Sequence, residues 1–153
     1  MDKNIEFKKK VVEVATQKKA ELLDTIIKRE KEEIDQASKM SEAGNENWRE
    51  SREEEVIERA DMIAHRAEDV EKDLQTLKTI IVDTPHEQVQ FGSLVLTSDQ
   101  YWLIGASLQA FQVDDNKVIG VSMEAPVFQQ LKGKTKGDTI QLGEQTVTID
   151  GVI

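Results

Sequence analysis

With 153 residues, 30 acids against 20 bases and only 5% aromatic residues, the chain can fill one modest core plus one extended element, not the core of a large enzyme. The absence of cysteine excludes a disulfide framework or a thiolate metal site, and two histidines are too few for a histidine cluster. A net charge of −10 argues against broad duplex binding, which needs cationic neutralisation of phosphates, and leaves only a local basic patch to touch nucleic acid.

The N-terminal stretch has no apolar run resembling a signal sequence, and no segment approaches the ~20 residues of a bilayer span. A soluble, cytoplasmic, monomeric protein without membrane contact is the expectation. Leu23, Ile27, Ile34 and Ala37 outline the apolar seam of a first helix, with Glu30 at one intervening core position. Gly44 and Asn45 tolerate the left-handed backbone that stops a helix. Asn47 is a candidate cap for the next helix, and Ser51 with Glu54 forms a candidate capping box one turn later. Val56, Ala60, Ile63, Ala67, Val70, Leu74, Leu77 and Ile81 then recur at alternating spacings of four and three, the heptad seam of a coiled coil. So short a break makes the helices antiparallel. The spacing therefore predicts a coiled-coil hairpin over 1–82, its tip near 44–50, extending roughly 50 Å at 1.5 Å per residue. No third amphipathic helix is present to make a compact bundle.

Charge is uneven along this hairpin. Residues 30–58 hold eleven acids against four bases, while residues 1–29 hold eight bases against five acids. Such a run is most often a solvated helical face. At the tip it coincides with a turn and with Trp48, and clustered carboxylates there can hold a divalent cation or orient a water.

Composition changes between Asp83 and Glu87, and residues 83–153 read as a second domain. The stretches EQVQFGSLVLTS, QYWLIGASL and KVIGVSM carry strand patterns separated by turns at Ser98-Asp99 and VDDN. Pro126 opens a short helix, PVFQQL, with Gly133 just beyond it. Gly143-Glu144 suits a two-residue II′ turn inside a final hairpin. The fold class is α+β: four or five antiparallel strands and one short helix. Phe91, Trp102, Phe111 and Phe128 fill its core, the sharper alternative being an aromatic ligand pocket.

Val89, Phe91 and Gly92, followed by Pro126, Leu131, Gly133, Gly137 and Asp138, resemble the signature of the FKBP-like C-terminal domain of the Gre transcript cleavage factors, V-x-F-G, S-P, L-x-G-x-x-x-G-D. Ala125 stands where that family has Ser. With the helical hairpin ahead of it, the resemblance covers nearly the whole chain. It implies a factor that docks its globular domain at the rim of the RNA polymerase secondary channel, through Ser122, Glu124, Ala125, Pro126 and Val127. Its hairpin would enter the channel. Tip acids would then help the polymerase's own magnesium ion and water cleave backtracked RNA, so that the nascent RNA 3′ end is reached only indirectly. The factor is no enzyme by itself and holds no cofactor beyond Mg2+ shared with the polymerase. Lys8, Lys9, Lys10, Lys18 and Lys19 are candidates for steering polymerase or extruded RNA.

The tip departs from the family. Cleavage-active members carry an Asp and a Glu three apart, whereas alignment on Gly44 puts Asn45 at the Asp, and alignment on Glu46 leaves Ala43 there. Glu42, Glu46 and Glu50 are the substitute candidates, with Glu46 and Glu50 as transient metal ligands. Residues four apart share a helical face, but Gly44 interrupts the first pair. A coiled-coil interaction module unrelated to transcription is the second reading. A prolyl isomerase is a third, since FKBP-like topology does not entail activity.

Overall fold

Strands Leu94–Leu96 (β1) and Tyr101–Gly105 (β2) are apolar at consecutive positions, because their sheet is covered on both faces. The computed structural model describes residues 2–41 and 46–153, without the side chains of 2, 3, 34, 36–41 and 46–52. In chain order the elements are α1 (Asp2–Ser41), α2 (Glu46–Lys78), β1, β2, β3 (Leu108–Val113), β4 (Asn116–Ser122), α3 (Pro126–Leu131), β5 (Thr139–Leu142), β6 (Gln145–Thr148) and β7 (Gly151–Val152). The protein is thus α+β, two N-terminal helices followed by a small, mostly antiparallel β domain with one short helix. Among the described residues no helix is long and apolar enough to cross a membrane.

The chain divides into two compact units, residues 19–72 and residues 1–18 with 73–153. In the second of these, the five strands run in the order β3-β4-β2-β1-β7, and β5-β6 form a separate two-stranded ribbon. All pairings are antiparallel except β2 with β4. Successive residues of β1 and β2 point to opposite faces. Leu94 and Leu103 join Val11, Val12, Ala15, Leu77 and Ile80 of the helical segments. Val95, Trp102 and Ile104 join Phe128, Leu131, Ile140 and Ile149 on the other side. Removing each of these large side chains from water contributes roughly 1.5–3 kcal/mol.

The turns follow their residues. Asp114 and Asp115 both have positive φ, at 50° and 67°, the backbone of a type I′ hairpin between β3 and β4. Gly143 has φ 61° and Glu144 is not in that region, as a II′ turn requires. Gly120 serves a different need. A Cβ there would lie 2.6 Å from Leu108 Cβ and closer still to the Ala106 carbonyl, so glycine admits the chain that crosses from β2 into the bulged start of β3.

In α2 every seam residue from Val56 to Leu77 is buried or half-buried. Ile81 is 67% exposed and Ile80 takes its place at 7%, because the helix ends at Lys78 and the turn through Thr79 breaks the period. The α1 seam also differs from the sequence reading. It runs through Lys8, Val11, Ala15, Lys19, Leu22 and Ile26, with Leu23 half-buried and Ile27 38% exposed. Two lysines at core positions hide the true phase from a search for apolar residues. The Asn47 cap and the Ser51–Glu54 box are likewise corrected, since α2 begins at Glu46 and contains all three.

Candidate functional site

The segment from Ser122 to Val127 joins the end of β4 to α3. Ala125 N donates to Ser122 O at 3.1 Å, and Phe128 N to Ala125 O at 3.0 Å, which turns the chain into the helix. Ala125 occupies the N-cap with extended backbone and offers no side-chain cap, while Pro126 fills the first helical position, where its missing N–H costs nothing. Glu124 and Pro126 are exposed, as is Met123 at 39%; Ser122, Ala125 and Val127 are half-buried, the last two against the core around Phe128. The surface available here is therefore Met123, Glu124 and Pro126, framed by anchored neighbours.

Beyond α3 the chain is fixed by its own polar groups. Leu131 is fully buried, and Gly133 and Gly137 have φ 77° and 94°. Asp138 accepts from Thr135 N at 2.8 Å and Thr135 Oγ1 at 3.2 Å, and the backbone donor foremost holds its carboxyl below the usual carboxylate range. The loop 132–138 is thereby a defined shape.

Of the tip candidates, Glu42 lies outside the described residues. Glu46 and Glu50 fall in the first two turns of α2, but their side chains are outside the description. Among the described residues no group of three or more His, Asp or Glu side chains could hold a metal ion.

Of the proximal lysines, Lys8 and Lys19 are corrected, while Lys18 is exposed. Lys8 is fully buried and Lys19 is 6% exposed, so neither can steer a partner. Lys9 pairs with Asp83 at 3.0 Å, and Lys10 with Asp114. They tie α1 to the connecting segment and to the β3–β4 turn. Lys8 Nζ has no hydrogen-bond partner among the described residues, and burial pulls its pKa from 10.5 to about 8. His86 is held below its ordinary value by burial and by the charge of Lys8. Its Nδ1 lies 2.7 Å from the Oγ of buried Ser93, which also accepts from Gln90 N at 3.0 Å. Reading α1 with lysine allowed in the seam would have exposed Lys8, which stands three residues before Val11.

No protein-family model matches the chain, and no curated protein does. Among solved structures it is similar to one described as "Structure of the transcription factor Gfh1", at 14% identity and a TM-score of 0.33, over 90% of this chain and 92% of that one. A likeness of that size leaves function to be argued from the chain's own residues.

A groove of about 400 Å3 lies between α1 and α2 within residues 19–72. Leu22, Ile26 and Ile63 contribute apolar surface, and Arg29, Arg59 and Arg66 stand along it.

Proposed function

We propose that the protein is an accessory factor of the Gre type, which binds RNA polymerase at its secondary channel and regulates it with little or no transcript cleavage. The observation that carries this reading is the segment Pro126–Asp138, where each residue that matches the family signature also shapes the chain. Pro126 opens α3, Leu131 anchors it, Gly133 and Gly137 take positive φ, and Asp138 closes the loop. Two N-terminal helices precede it in the family's order. Met123, Glu124 and Pro126 are the polymerase-facing residues under this reading, and the tip near residues 44–50 enters the channel.

Cleavage needs carboxylates around the polymerase's second metal. Asn45 is neutral where a cleavage-active member carries Asp, and an amide cannot replace that charge on a cation. Removing one positioned electrostatic group costs ~10²–10³ in rate, so binding should outlast catalysis. The test is co-purification with core RNA polymerase of the same cell, followed by RNA cleavage in a stalled, backtracked complex. Binding with cleavage no faster than polymerase alone is expected. Robust cleavage lost in Glu46→Ala would replace the inactive reading with an active one; absence of binding would overturn both.

A further inference from the structure

Arginine is scarce in this chain and unevenly placed. The chain has five arginines, none beyond residue 66, and all three whose side chains are described line the groove between α1 and α2. Arg29, Arg59 and Arg66 make no ion pair or hydrogen bond among the described residues. That is not for want of carboxylates, since acids outnumber bases by 30 to 20. Among the described residues Glu33 is the single acid in the lining. The groove also keeps apolar surface open to water: Met62, beside Arg59 and Arg66 on α2, is 72% exposed.

We propose that this groove docks an acidic amphipathic helix of a partner protein. The planar guanidinium presents paired donors that match a carboxylate, and three of them flank an apolar strip. A helix with apolar residues three and four apart would lay that stripe on Leu22, Met62 and Ile63, with its flanking carboxylates on the arginines. The complement is specific in sign. Single-stranded nucleic acid fits less well, because no aromatic side chain among the described residues lines the groove to stack a base. The inference is independent of polymerase binding, since it uses no residue of the 122–127 segment.

The experiment titrates the full-length protein against three labelled probes, read by fluorescence anisotropy. One is a synthetic amphipathic helix with leucines at three-four spacing flanked by glutamates, one is the same peptide with lysines for glutamates, and one is a single-stranded RNA oligonucleotide. The acidic peptide should bind, more weakly as salt rises, and at least about tenfold more weakly to the Arg29→Gln, Arg59→Gln, Arg66→Gln triple variant. All three arginines are exposed, and unchanged circular dichroism will confirm the fold of that variant. Equal binding of the two peptides, no binding of the acidic one, or tighter binding of RNA that the same variant abolishes would each overturn the proposal.

Discussion

The buried ammonium of Lys8 acts on the imidazole of His86, and both groups hold their protons less tightly than in water. For a base, a lowered folded-state pKa means that the folded protein binds fewer protons than the unfolded chain. The Lys8 contribution is therefore unfavourable at neutral pH, where both states are protonated, and the penalty lifts as pH rises from about 8 to 10.5. A drop from 10.5 to about 8 corresponds to on the order of 3 kcal/mol. Lys8→Met, which keeps the length of the side chain without the charge, should stabilise the protein at pH 7 by up to that amount. Urea unfolding at pH 7 and at pH 10 measures it, and the gain should shrink at the higher pH. A destabilised variant at pH 7 would mean that Lys8 has a partner in solution.

Gly120→Ala should be destabilising by roughly 1–3 kcal/mol or more, the usual cost of forcing a methyl group into a filled space. The new Cβ would meet backbone at Ala106 and Leu108, which cannot swing away as a side-chain end would. Thermal unfolding followed through the fluorescence of Trp102, buried on the same sheet, reports it. An unchanged midpoint would show that the β2-to-β3 crossing yields.

At the start of α3 the opposite outcome is expected. Ala125 sits at the N-cap without a side-chain acceptor, and replacing alanine by serine at such a position is worth ~1 kcal/mol. Ala125→Ser should raise stability by about that much in denaturant. No gain would indicate that the half-buried site refuses the hydroxyl.

A fragment that begins at Asp83 should fail to fold cooperatively. Val11, Val12, Ala15, Leu77 and Ile80 cover one face of the sheet, packed with Leu94, Leu103 and Val118, and the fragment leaves that face bare. Urea unfolding should lack a sharp transition, in contrast to the full chain. A cooperative transition would show that the β domain stands without the helices.

Much of this architecture was legible because it is written locally. The α2 seam from Val56 to Leu77, the PVFQQL helix behind Pro126, and the tight turns at Asp114-Asp115 and Gly143-Glu144 each follow from a period or a turn residue within a few positions. What stayed hidden depends on distant partners. The parallel pairing of β2 with β4 comes from the chain crossing over, which no alternation within either strand encodes. Strand β1 is shorter than its apolar pattern because Gly92, at φ 84°, bends the chain just before it. Lys8 and Lys19 look like solvated charges until the helix phase places them inward. Arg29 and Arg66 lie far apart in sequence and line one groove only because α1 and α2 run beside each other. The candidate at Ser122–Val127 could be located from its motif, yet which of its side chains face outward could not.

One unit of the protein is built from two pieces of chain, residues 1–18 and 73–153, with 19–72 between them. The first piece must therefore wait for strands made much later, and closing that gap carries a loop-entropy cost that contacts inside 19–72 largely avoid. Local helical contacts form faster than non-local strand pairings. Renaturation should accordingly separate in time: helical signal returns early, and Leu94 and Leu103 become shielded from water only when the sheet finally closes over Val11 and Ala15.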